Sequence, residues 1–126
     1  TAATIQAADR QAVLNWRNPT ASDFVRMLVL RSLVPLPIIT APGNPRYLPM
    51  AKVVYDGVPP RFTDTNLTNG VLYYYTLYAY DRSGNWARPV TLAVRPLPID
   101  RQTLIYRLKL QLLELLKKLL VLLRGW

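Results

Sequence analysis

The chain has no His and no Cys. Imidazole and thiolate chemistry are therefore closed to it: no Ser-His-Asp or Cys-His nucleophile, no disulfide framework and no Cys- or His-based metal site can be assembled. Carboxylates, hydroxyls and aromatic rings remain. Asp9, Asp23, Asp56, Asp64, Asp81 and Asp100 fall at turn signals, joints or the ends of strand-like runs, where Asp serves the local backbone. Asp81, Ser83 and Asn85 stand at alternate positions, as in part of a calcium loop. No Glu closes that loop and Gly84 falls in the wrong place, so the segment reads as a hairpin turn. Asn66-Leu67-Thr68 is formally a glycosylation sequon. The tyrosine-rich run before the turn puts Tyr74, Tyr78 and Tyr80 on one face of a strand. Such a face either packs across strands within its own sheet or offers a platform to a sugar, a protein or another subunit. No catalytic residue, metal or cofactor is expected.

The elements that would carry these residues follow from alternation and turn chemistry. Strands are predicted over Thr4–Ala8, Ala12–Trp16, Phe24–Arg31, Ala51–Tyr55, Arg61–Asp64, Val71–Tyr80 and Val90–Arg95. Seven short strands separated by turns predict a mainly β fold, an antiparallel β-sandwich. The chain divides into a sandwich over 1–95, a stiff Pro-Leu-Pro-Ile-Asp joint over 96–100 and a helix-bearing tail over 101–126. Residues 33–50 fit neither a strand nor a solvated loop. Five prolines exclude a central strand, while Leu33, Val34, Leu36, Ile38, Ile39, Tyr47, Leu48 and Met50 make the segment apolar. It is expected to fold over its own sandwich or to pack on a neighbouring subunit, with Ile38, Ile39 and Leu48 as contact candidates.

Sixteen basic and seven acidic residues give a net charge of +9. Residues 101–126 hold six of the basic groups against Glu114 alone. Such a balance suits an anionic cell-surface polymer, a membrane surface or plain solubility. No recognition motif accompanies it, so nucleic acid is not an expected partner. The chain starts at Thr1 with no signal peptide, which fits a processed, exported protein or a trimmed one.

Leu14-Asn15-Trp16 with Pro19, the run Phe62 to Gly70, then Tyr73 to Asp81 and Ser83-Gly84-Asn85 resemble a fibronectin type III domain of the kind repeated in bacterial surface and secreted proteins. The resemblance covers about residues 4–95. Its most specific element is the spacing from Leu67 to Tyr73 with Gly70 between them. It implies a core of Trp16, Leu67, Tyr73, Leu77 and Ala79, with Leu14 and Tyr75 beside them. It also implies that the Tyr73 hydroxyl bonds back to the chain near the preceding turn. The family's Arg-Gly-Asp adhesion tripeptide is absent; Arg82-Ser83-Gly84 is not it. Two features depart from the family: the long apolar 33–50 segment and everything after residue 100.

The tail reads as one helix over 101–124. Asp100 is a suitable N-cap, Ile99 and Leu104 are placed for a hydrophobic staple, and Gly125 marks the stop. From Leu104 to Leu123, 14 of 20 positions are apolar. Arg107, Gln111, Glu114 and Lys118 stack into a polar stripe of roughly 140°, leaving an apolar arc wider than half the circumference. A helix lying on a single sandwich needs a stripe of only about 100°. Leu104, Leu108, Leu112, Leu113 and Leu115, continued by Leu116, Leu119, Leu120, Leu122 and Leu123, are therefore expected to form a self-assembly surface. A membrane surface, or the chain's own sandwich, would be the other covers. The longest unbroken apolar run is Leu119–Leu123, far short of the ~20 residues of a span. Leucine exceeds the two positions per heptad of a two-stranded coil, so a multi-helix core fits better. The expected function is an extracellular structural subunit that builds a filament, tube or other homo-oligomer through this helix. The alternative is a cell-surface binding or adhesion module docked by it.

Overall fold

The computed structural model describes residues 2–38, 43–98 and 101–125. Ile39, Ile99 and Asp100, for which a contact, a staple and a cap are expected, lie outside the described residues.

Among the described residues, seven strands form two antiparallel sheets. β1 (Ala3–Ala8), β2 (Gln11–Trp16) and β5 (Arg61–Asp64) make one, in the order β1-β2-β5. β4 (Ala51–Gly57), β3 (Phe24–Ser32), β6 (Tyr73–Asp81) and β7 (Val90–Val94) make the other, in the order β4-β3-β6-β7. A helix, α1 (Arg101–Arg124), follows. The mainly β class with one C-terminal helix is thus present. The strands begin and end within a few residues of the alternation read from sequence. β4 continues through Asp56-Gly57 instead of closing there, because Asp56 and Gly57 still pair with Leu28 and Met27. β6 starts at Tyr73, since Val71 is held in a turn by its N–H bond to the Thr68 carbonyl.

The main core lies between the sheets. Leu14, Trp16, Met27, Val29, Leu67, Tyr73, Tyr75 and Leu77 are buried there, so Trp16, Leu67, Tyr73 and Leu77 all sit inside. The Tyr73 hydroxyl accepts a hydrogen bond of 2.9 Å from the Thr68 N–H, which ties the start of β6 to the turn before it. The β1–β2 turn is clipped to the same region. Arg10, at φ 54°, donates its N–H to the Asn69 side chain at 2.8 Å, and its carbonyl receives the Leu67 N–H at 3.1 Å. Gly70 adopts φ 85°, a conformation glycine reaches without steric cost, and its N–H bonds the Pro96 carbonyl at 2.8 Å.

A second apolar cluster occupies the outer face of the four-stranded sheet. Leu28, Leu30 and Tyr78 are fully or almost fully buried, with Leu36, Leu48, Ala51, Tyr80 and Trp86 packed against them. The proline-rich segment supplies Leu36 and Leu48, and its 3₁₀ turn (Pro45–Tyr47) buries Pro45. The segment therefore covers its own sheet in part, while Leu33, Ile38, Tyr47 and Met50 stay exposed.

Candidate functional site

In α1 the leucines named above lie exposed along the helix. No residue of the helix is buried. All fourteen apolar side chains from Leu104 to Leu123 are exposed, from 42% at Leu104 to 68% at Leu122. The sequence makes this a helix through leucine, lysine, arginine, glutamine and glutamate, all good formers. At 1.5 Å per residue its 24 residues span about 36 Å. Glu114 and Lys117 approach to 3.8 Å on the polar side, both exposed. The helix stops at Arg124 without a left-handed glycine: the Gly125 N–H reaches the Leu122 carbonyl at 3.3 Å, a tightened last turn. Covering even half of the apolar residues would be worth on the order of 10 kcal/mol. Among the described residues, the chain's own sandwich does not supply that cover. Among the described residues, no helix is long and apolar enough to cross a membrane.

Much of the tyrosine face is packed within its own chain. Tyr78 lies on the outer face of the four-stranded sheet but is fully buried there, its ring edge-on to Trp86 at 6.1 Å. The reason is the overlying segment, whose Leu36 and Leu48 lie on the same cluster. Tyr80 packs its ring on Trp86 at 4.8 Å and donates its hydroxyl to Asp56 at 2.9 Å. Tyr74 is half-buried, paired in register with Ser32 and Ala93. Leu48 is likewise half-buried, whereas Ile38 is exposed at the surface of the segment.

Two charged clusters escape a reading of the sequence. Asp64 is buried at the end of β5 and accepts from Arg31 at 2.8 Å and from the Tyr75 hydroxyl at 2.7 Å, both on the opposite sheet. Burial, and then the bond to Asp64, push the Tyr75 phenol well above its ordinary range. Asp56 accepts from Arg46 at 2.6 Å as well as from Tyr80, with Arg26 at 4.0 Å. Burial works to raise the Asp56 carboxyl, but the hydrogen bonds from Arg46 and Tyr80 and the two guanidinium charges outweigh it and hold its pKa below the usual value. The only sequence signal for either cluster is an Asp at a strand end, which turn chemistry explains equally well.

The Asp81 carboxylate is taken up by its own turn. It accepts from the Ser83 and Asn85 N–H groups at 2.9 Å each, and the Asn85 backbone bond leads the contacts that lower its pKa. Among the described residues no group of three or more acidic side chains is placed to hold a metal ion.

No protein-family model matches the chain, and no curated protein matches it in sequence. Among solved structures it is similar to pectate lyase PelI from Erwinia chrysanthemi in complex with tetragalacturonic acid, with a TM-score of 0.54 and 14% identity. The match covers 73% of this chain and 27% of that one, so the chain spans about a quarter of the lyase's length. At that identity the likeness is one of fold, shared with one part of an enzyme.

Proposed function

We propose that this chain is a non-enzymatic structural module in which a fibronectin type III-like sandwich is carried by an assembly helix, and that copies of the protein join through α1. The observation that carries the reading is the exposure of all fourteen apolar residues of the helix, since an apolar surface of this extent marks an interface. The family resemblance is supported by the three-plus-four strand arrangement and by the Tyr73–Thr68 corner bond. An extracellular setting rests on that resemblance. The positive charge gathered on the tail is suited to an anionic surface polymer as a further contact.

A binding module docked by the helix is the second reading. Its tyrosine platform is reduced to Tyr80 and Tyr74, because Tyr78 is covered. The test is a comparison of the full chain with a chain ending at Pro98, by light scattering and negative-stain microscopy. Assembly of the full chain alongside a monomeric truncated sandwich supports the proposal. Two compact monomers refute it and turn attention to ligands for the remaining tyrosines.

A further inference from the structure

The apolar arc of α1 is not one seam but two. Ile105, Leu108, Leu112, Leu115, Leu119 and Leu122 follow one another at alternating spacings of 3 and 4, the a and d positions of a heptad. Leu113, Leu116, Leu120 and Leu123 repeat the same 3-4-3 spacing, displaced by one residue. One residue of α-helix turns the side chain by about 100°, so the two seams point about 100° apart. Every side chain of both is between 42% and 68% exposed. A two-stranded coil would cover the first seam and leave the four leucines of the second in water. A flat lipid surface takes one continuous face and demands no heptad spacing.

Resting on the self-assembly reading above, we infer that the occupant of this surface is a second and a third copy of α1, one on each seam, in a closed ring of four or five helices. Under rotational symmetry the first seam of each helix packs on the second seam of its neighbour, a head-to-tail contact that closes if the angle allows. A regular ring of four turns through corners of about 90° and one of five about 108°, which bracket the ~100° between the seams. The polar stripe of Arg107, Gln111, Glu114 and Lys118 then faces outward. Lys109 occupies the place in the second seam one heptad position before Leu113, where its stem can lie along the contact while the ammonium reaches water. The outward stripe brings like charges together, so added salt strengthens the ring by screening them.

The test uses the full chain and two double variants, Leu112→Gln/Leu119→Gln in the first seam and Leu113→Gln/Leu120→Gln in the second. Mass is read by sedimentation and native mass spectrometry, and sandwich folding by thermal melting, which neither variant should shift. The expected result is a discrete tetramer or pentamer for the parent, more stable at higher salt, and at least a hundredfold weaker association for each variant. Lys109→Leu should tighten it. A second-seam variant that keeps the parent's mass, or a parent that is a dimer or an open-ended polymer, overturns the ring and leaves self-assembly standing. A parent that stays monomeric at about 100 μM overturns both, and its sedimentation with vesicles of an anionic phospholipid would then identify lipid as the cover.

Discussion

Leucine has opposite fates in the two parts of this molecule. In the sandwich, Leu14, Leu28, Leu30 and Leu77 are at most 2% exposed, each enclosed by residues distant in sequence. In α1 the leucines are 42–68% exposed, although they outnumber those of any strand. A strand hides one face by pairing and stacking within the same chain, so its apolar content is balanced by what the fold can cover. An isolated helix satisfies its backbone alone and hides nothing. The sandwich thus buries its own leucines in a single copy, and on the self-assembly reading proposed above the helix needs partners to do the same. The stability of the first should be a property of the chain, that of the second a property of its concentration.

The comparison is broken most sharply by truncation in each part. Trp16→Ala should cost the sandwich about 3–5 kcal/mol, seen as a lower denaturant midpoint. Leu119→Ala, which would cost about 2–5 kcal/mol in a core, should leave the sandwich transition where it was and lower only the association constant. A common loss of sandwich stability in both variants would mean that the two parts are not independent.

The tie between the sheets ranks next. Asp64→Ala leaves the Arg31 guanidinium and the Tyr75 hydroxyl without their acceptor. With Arg31 partly exposed, the cost should be about 2–3 kcal/mol in equilibrium unfolding. Tyr75→Phe removes one hydrogen bond from the same carboxylate and should cost about 1–2 kcal/mol. Equal and negligible effects would show that packing alone joins the sheets.

A smaller effect is expected from the Asp56 cluster on the outer face. Its carboxyl is depressed in the folded chain, so the contribution it makes is fully present above the ordinary carboxylate range and is lost as pH falls through the folded pKa. Asp56→Asn should therefore be less stable than the parent at pH 7, and the two should converge towards pH 2, read from melting temperatures across that range. A constant difference at every pH would assign the effect to packing. Smallest of all is Tyr78→Phe. Among the described residues the buried Tyr78 hydroxyl meets no hydrogen-bond partner, so its removal should change the unfolding free energy by less than about 0.5 kcal/mol. A loss as large as that of Tyr75→Phe would reveal a partner for this hydroxyl.

Much of this was legible in local pattern. Alternation placed all seven strands, and the resemblance to fibronectin type III domains, carried in part by Leu67, Gly70 and Tyr73, implied the corner at which the Tyr73 hydroxyl meets Thr68. The 3.6-residue periodicity marked the helix and its wide apolar arc. What escaped was long-range pairing. Asp64 and Arg31 are 33 residues apart and Arg46 and Asp56 ten, and nothing in their immediate neighbours announces the partner. The burial of Tyr78 is not legible locally for a related reason. Period two correctly put it opposite the main core, but whether that opposite face is wet depends on where residues 33–50 lie.

The sequence by itself determined which segments become strands and helix and which side chains share a face, because these follow from backbone geometry over a few residues. It also determined the excess of leucine in α1 over what one face of a single sandwich needs. Tertiary packing alone decided that Leu36 and Leu48 of the proline-rich segment lie over the cluster of Tyr78, that Asp64 joins Arg31 and Tyr75 across the sheets, and that among the described residues nothing of the sandwich buries the helix. Those outcomes depend on register and packing between elements distant along the chain, which local periodicity does not encode.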